Sequence, residues 1–283
     1  MRFIKPLLVA FAFFQFQVSE AVELDWAEPG LPPLIFCTRD RNIYELRDGK
    51  LKVCFTVAQE EPHKRSTIGA ICAAKDGSIY FANPINHNEI CKVENGSTKL
   101  VYKLPPNLGE YVRDVFVDSN GSLLFSSVTD RDRYVGLTIF KIVEGNAQPV
   151  VRIPNRVRDQ KGEVFPRNFG WGQFNIDSSG VMRVSIGNYE TFPHDRPKIA
   201  LFYIFHDNKL KPIFEGAMEG WRGCAYGFDL DAKGRVFYVD GCNLYVLGPD
   251  SNSAKGPRKV ASFRVPYGDG SADRLHDVAF LPK

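Results

Sequence analysis

The sequence predicts an all-β protein made of five four-stranded antiparallel sheets arranged in a closed ring, with a six-sheet ring as the alternative. Three observations predict it. Short β-rich runs recur between clusters of Gly, Asn, Asp and Pro, while helical periodicity is nearly absent. Four segments align on a single turn glycine: IGAICAAKDGSIYFANP from Ile68, VRDVFVDSNGSLLFSSV from Val112, WGQFNIDSSGVMRVSIG from Trp171 and AYGFDLDAKGRVFYVDG from Ala225. Finally, the chain ends on LHDVAFLPK (275–283), an alternating strand with no partner after it.

Residues 1–21 read as a secretory leader. Arg2 and Lys5 supply positive charge, PLLVAFAFF is an apolar core, and Ser19-Glu20-Ala21 places small residues at a cleavage position. The apolar stretch is too short for a membrane span, which requires roughly 18 or more apolar residues, and no later segment approaches that length. The expectation is a secreted, extracellular protein with one domain over 22–283.

The first sheet follows at 33–57, where PLIFCTRD, NIYELRDG and KLKVCFTV form three strands without an innermost one. Complete sheets follow at about 68–104, 112–153, 171–216 and 224–264. Each opens with the glycine-centred hairpin, as expected of units recurring at the spacing of β-propeller blades. The C-terminal strand supplies the strand missing from the first sheet: aligned on the other inner strands, Val278 falls on Val115 and Phe280 on Val117. Pairing it with the N-terminal blade closes a five-bladed β-propeller and removes open sheet edges. A sixth blade would need 154–170, PNRVRDQKGEVFPRNFG, which is charged and turn-rich rather than strand-like.

Six cysteines in an exported chain lead to an expectation of disulfides. Cys224 and Cys242 lie symmetrically about the turn at Lys233-Gly234, so they are expected to face each other. Pairing Cys37 with Cys54, or Cys72 with Cys91, would skip a strand and span roughly 10 Å. Inter-blade bridges Cys37–Cys72 and Cys54–Cys91 are the better expectation, with buried free thiols as the alternative. Asn95-Gly96-Ser97 and Asn120-Gly121-Ser122 match the glycosylation acceptor pattern, although Asn-Gly is also hairpin-turn chemistry.

The net charge of +3 balances 36 basic against 33 acidic residues, which gives no case for nucleic acid. Function is expected on the face carrying the longer loops, because loops held by a rigid scaffold commonly bind ligands. The tight turns at Asp76-Gly77, Asn120-Gly121, Lys233-Gly234, Asp48-Gly49, Asn95-Gly96 and Gly145-Asn146 occupy the opposite face. The richer face carries TRDRN (38–42), PINHNE (84–89), TDRDRY (129–134), NYETFPHDRPK (188–198), EGWRG (219–223) and GDGSADRLHD (268–277). Its candidate ligand-binding residues are His87, Arg131, Tyr134, Trp171, Tyr189, His194, Trp221, Arg222 and His276. Aromatic planes would stack on a ligand and arginine forks would hold an anionic or hydroxyl-rich part. Mutual surface pairing of these charges is the competing explanation.

The inner strands line the central channel. Gly69, Arg113, Gly172, Tyr226 and His276 fall at its mouth, with Ala70, Asp114, Gln173, Gly227 and Asp277 one step below and Asn175 and Asp229 two steps deeper. Asp114, Asp229 and Asp277 are oxygen donors of the kind calcium takes, and His276 is a candidate base. Structural hydrogen bonding to loop backbone and water is the competing explanation.

The units VFVDSNGSLLFSS and FDLDAKGRVFYVD resemble the NHL-type repeat and, more loosely, the gluconolactonase and strictosidine-synthase class of propellers. The resemblance covers most of 22–283 and rests on blade grammar: apolar pair, Asp, turn Gly, apolar run. It implies the fold and bears weakly on function. Calcium-dependent lactonases of that class carry a Glu, Asn and Asp set in the channel, and the usual Glu has no counterpart here. Five-bladed glycosidases would need an acid pair and a third carboxylate, yet no glutamate falls at the aligned positions.

These observations point first to a secreted monomer that binds a small molecule or glycan on its long-loop face, with no nucleic-acid partner. The alternatives are a calcium-assisted hydrolase or lyase at the channel and a protein-binding scaffold.

Overall fold

The computed structural model describes residues 22–38, 41–58, 68–83, 85–108, 111–128, 136–154, 156–158, 164–166, 173–177, 179–187, 199–206, 209–217, 227–248, 257–265 and 275–282. Every regular element among them is a β-strand. Blade I is ordered β23 (Asp277–Phe280), β2 (Leu34–Cys37), β3 (Asn42–Arg47), β4 (Lys50–Thr56) from the channel outward. Blade II is β5 (Ile71–Ala73), β6 (Ile79–Ala82), β7 (Glu89–Glu94) and β8 (Ser97–Lys103). Blade III is β9 (Tyr111–Val117), β10 (Leu123–Val128), β11 (Gly136–Val143) and β12 (Asn146–Pro154). Blade IV is β15 (Phe174–Ile176), β16 (Met182–Gly187), β17 (Ile199–His206) and β18 (Lys209–Ala217). Blade V is β19 (Gly227–Leu230), β20 (Val236–Asp240), β21 (Asn243–Leu247) and β22 (Arg258–Arg264). The chain is a five-bladed β-propeller closed as expected, with Leu34 opposite Phe280 and Phe36 opposite Val278.

The shared grammar has a physical cause at the turns. In four blades the first hairpin repeats one hydrogen-bond pair, seen in blade III as Asp118 N–H to Ser122 O (2.9 Å) and Gly121 N–H to Asp118 O (2.9 Å). The glycine at its end takes positive φ, 78° at Gly121. In blades III, IV and V an aspartate caps the turn: Asp118, Asp177 and Asp231 each accept two later backbone N–H groups. Burial alone would raise the Asp177 pKa, but its bonds from Ser179, Arg183 and Val181 pull it down to about 2. The third-to-fourth-strand turns of blades I, II and III put both central residues at positive φ, as type I′ hairpins require. In blade III these are Glu144 and Gly145, one residue earlier than the expected Gly145-Asn146, because Asn146 already pairs with Val143.

A register shift separates the third and fourth strands in all five blades, at Ile43/Tyr44, Ile90/Cys91, Ile139/Phe140, Phe202/Tyr203 and Leu244/Tyr245. Bulges of this kind twist outer strands and blunt the exposed edges. The apolar core lies in the seams between blades, one cluster to each of the five seams. Burying a Leu, Ile or Phe there contributes about 1.5–3 kcal/mol.

Three expectations need correction. A further strand, β1 (Glu23–Ala27), adds to the outside of blade V by pairing with β22, and Val22 beside it is buried against residues of blades I and V. Its sequence ELDWA lacks a clear apolar alternation, which is why it escapes pattern reading; ion pairs of Arg264 with Glu23 and Asp25, and of Arg258 with Glu28, hold it. The segment 154–170 contains a two-stranded ribbon, β13 (Arg156–Arg158) with β14 (Val164–Pro166), so it forms strands without forming a blade. The inter-blade disulfides do not form. Cys54, Cys72 and Cys91 are thiols, and the sulfurs turn to nearby backbone: Cys72 accepts from Val117 N–H, and Cys37 and Cys54 donate to the carbonyls of Ile68 and Ile43. Cys224 lies outside the described residues. Among the described residues no helix is long and apolar enough to cross a membrane.

One close approach decides how blade V meets blade I. A Cβ on Gly227 would lie 2.2 Å from Asp277 Oδ1 and 2.3 Å from Asp277 Cα, so only glycine fits. Gly227→Ala is expected to destabilise the protein by about 1–3 kcal/mol, the usual cost of overpacking. Chemical denaturation checks this, and an unchanged midpoint would show that the two strands separate readily.

Candidate functional site

The channel walls are built from inner-strand side chains that reach across to the next blade. Asp277 Oδ2 accepts Ile71 N–H of blade II at 2.8 Å, and Asp114 Oδ2 accepts Phe174 N–H of blade IV at 2.7 Å. Asp229 Oδ2 accepts Phe280 N–H of blade I at 2.6 Å, while its Oδ1 receives Asn175 Nδ2 of blade IV at 2.6 Å. Between blades II and III the Cys72 sulfur takes the same role, accepting Val117 N–H at 3.3 Å. All five junctions are therefore bridged near the channel. Each aspartate also accepts the N–H of the residue that follows it, at 2.7–2.9 Å.

This geometry bears on calcium. A bound cation needs carboxylate lone pairs turned toward it. Both oxygens of Asp114, Asp229 and Asp277 instead receive N–H donors, whose positive ends oppose a cation. Among the described residues no group of three or more His, Cys, Asp or Glu side chains is placed to hold a metal ion. The donor set does not fit the calcium site expected from the sequence.

Burial dominates the electrostatics. Burial first, with a smaller push from the Asp229 charge, raises the Asp114 pKa to about 8 against the two N–H donors. Asp277 is pushed well above the ordinary carboxylate range by burial and then by Asp114. Burial lifts Asp229 to about 6.

The channel mouth offers different chemistry. Where β9 pairs with β10, Ser126 faces Asp114 and Ser127 faces Val112, so Arg113 is left as an extra, bulged residue. The ladders of the other four inner strands run without such a shift. Bulges re-aim side chains, and here the guanidinium carbon lies 5.5 Å from the centre of the exposed Tyr111 ring. The His87 ring lies 5.7 Å from the same tyrosine. Partial burial, and then the Arg113 charge, lower the His87 pKa, favouring a neutral imidazole.

The loop presenting His87 is held from both ends. Glu89 receives Asn83 Nδ2 (2.8 Å), Asn86 Nδ2 (3.1 Å) and Lys103 Nζ (2.9 Å), and the His87 carbonyl accepts Val112 N–H at 2.8 Å. Buried polar residues gather at this pole, including Thr38, Asn83, Ser126, Gln173, Asp240 and His276.

Of the nine predicted ligand-binding residues, His87 and His276 are described, and both lie at this pole. Arg131, Tyr134, Trp171, Tyr189, His194, Trp221 and Arg222 lie outside the described residues. Sequence alignment placed Arg113 at the mouth but overlooked Tyr111 and the bulge. The Tyr111-x-Arg113 spacing was the available signal; the bulge itself exists only relative to the register of β10.

No family model matches the chain, and no curated protein matches it. Among solved structures, it resembles a structural genomics protein of unknown function from Bacteroides thetaiotaomicron, at 12% identity over 92% of this chain and 65% of that one, with a TM-score of 0.53. The propeller fold is shared. A gluconolactonase from Xanthomonas campestris is similar at 9% identity over 87% of this chain and 80% of that one, with a TM-score of 0.49. Regucalcin, a calcium-binding protein from Agrobacterium tumefaciens, is similar at 13% identity over 81% and 76%, with a TM-score of 0.44. At these identities the likeness concerns the fold alone.

The raised Asp114 pKa has a sign that can be measured. An unfolded aspartate titrates near about 3.9, so the contribution of Asp114 to stability is complete below that pH and declines as pH rises through about 8. The melting-temperature advantage of wild type over Asp114→Asn is expected to shrink across that window. A difference that widens toward pH 8 would mean that Asp114 is ionised at low cost.

Proposed function

We propose that the protein is an exported binding protein whose loop-rich pole recognises a small ligand carrying an anionic group, such as a sugar acid or an aromatic carboxylate. The observation that carries this reading is the bulge at Arg113. It sets a guanidinium over the exposed Tyr111 beside the neutral His87 ring. A guanidinium pairs with a carboxylate through two parallel hydrogen bonds, and an exposed aromatic ring accepts the apolar face of a sugar or a second ring. The neutral imidazole has one donor and one acceptor to orient the ligand. Export is inferred from the leader-like composition of residues 1–21.

A calcium-assisted hydrolase is the second reading. It is favoured by the mutual repulsion of three buried carboxylates, which a divalent cation would relieve. The N–H donors on those carboxylates weigh against it.

Two measurements separate these readings. Glucuronate and salicylate are expected to raise the melting temperature of the wild type, as binding to the native state requires. Arg113→Ala is expected to weaken that binding roughly tenfold to a hundredfold, the loss of about 1.5–3 kcal/mol for hydrogen bonds to a charged group. Retention of full affinity by Arg113→Ala would remove the anion site. Excess calcium and excess chelator are expected to give the same melting temperature; a calcium-dependent rise abolished by Asp277→Asn would move the function to the channel.

A further inference from the structure

The seam between blades IV and V departs from the other junctions. Gln173 occupies the inner-strand level at which Asp114 and Asp277 bridge to their neighbours, yet its Oε1 is buried without a hydrogen-bond partner. Ser185 Oγ is also buried without a partner. The two residues face each other across the β15–β16 ladder, which runs Phe174 to Val184 and Asn175 to Arg183, and Ser185 N–H donates to the Gln173 carbonyl at 2.9 Å.

Their direction follows from the alternation of the strand. Asn175, two residues after Gln173 and so on the same side, reaches Asp229 of blade V, which means that Gln173 also faces blade V. Ser185 stands opposite Phe202, whose ring packs at 5.4 Å on Phe228 and at 5.2 Å on Tyr238 of blade V. At the matching level blade V supplies Gly227, which has no side chain to offer. Asp277, packed against Gly227, is an acceptor already engaged by Ile71 and Val278.

Such atoms are costly to leave unpaired, and native proteins seldom do so without a reason. An apolar pair at these positions would suit the aromatic surroundings better. We propose that the seam between blades IV and V is a polar subsite that receives a hydroxyl group of a neutral, sugar-like ligand, with Gln173 Oε1 accepting and Ser185 Oγ accepting or donating. A hydroxyl is favoured over an ammonium because Gln173 and Ser185 are both uncharged, and the neighbouring Asp229 and Asp277 carboxylates already accept N–H donors. This subsite is separate from the Arg113 cluster, which lies at the junction of blades II and III.

The test uses D-glucose and myo-inositol, neutral hydroxylated probes that do not require Arg113. Thermal melts of the mature chain are compared for wild type, Ser185→Ala, Gln173→Met, Ser185→Thr and Arg113→Ala, each with and without a large excess of probe. Without probe, Ser185→Ala and Gln173→Met are expected to melt at or above the wild-type temperature, because each removes an unsatisfied polar atom. With probe, they lose the shift seen in wild type, consistent with a roughly tenfold weaker affinity for one lost hydrogen bond. Ser185→Thr, which keeps the hydroxyl, and Arg113→Ala retain the shift. The proposal is overturned if neither probe shifts wild type, or if Ser185→Ala and Gln173→Met keep the wild-type shift. It is also overturned if both variants melt lower without probe and Ser185→Thr does not restore the shift, since the polar pair would then be structural. Loss of the shift in Arg113→Ala alone would assign the probes to the anion site instead.

Discussion

The structure depends on hydrogen bonds that cross from one inner strand to the next around the channel. A ring of five sheets has no continuous backbone ladder between blades, so its junctions rely on apolar seams and on side chains long enough to reach the neighbouring backbone. Asp277, Cys72, Asp114 and the Asn175–Asp229 pair supply that reach at the five junctions in turn. The chain closes twice over the last seam. β23 completes blade I at the channel, while β1 covers β22 at the rim and buries Val22 among residues of blades I and V.

This arrangement separates the buried channel aspartates from the more exposed groups at the mouth. The channel aspartates carry strongly perturbed pKa values, a feature that often marks a functional site. Here the perturbation arises from burial and mutual proximity in a structural ring, and the backbone donors on each carboxylate explain why those acids are tolerated in the interior. Groups able to meet a ligand lie one level above, where Arg113 bulges out of its ladder and the His87 loop is tied down by Glu89.

The seams themselves are unequal. All five are bridged near the channel, but the seam between blades IV and V also carries Gln173 and Ser185 with unfilled polar atoms, and blade V has a glycine at the matching level. Gly227 is also where the backbone of blade V packs closely on Asp277 of blade I. One small residue therefore permits a close approach on one side and faces an unmatched polar pair on the other.

Much of the fold was legible in the sequence because its determinants are local. The Asp-x-x-Gly turns, the positive-φ glycines and the alternation of each strand act within a few residues, and they sufficed to count blades and to place LHDVAFLPK in the first one. Even Arg113, Asp114, Gln173 and Asp277 could be put at their levels in the channel by alignment. What a side chain does at its level was not legible, since it depends on register and on the facing blade. Asp114 looks like a metal ligand until Phe174 N–H is seen against it, and Arg113 looks like its neighbours until the shift between Ser126 and Ser127 turns it out. The cysteines show the same limit: Cys72 sits where a disulfide was expected, and tertiary packing gave its sulfur to Val117. Sequence by itself determined the repeating unit and the closure of the ring, because turn chemistry and strand period are properties of neighbouring residues. Tertiary structure decided which polar groups bridge the ring and which stay unpaired at a seam, because that depends on what each group meets across it.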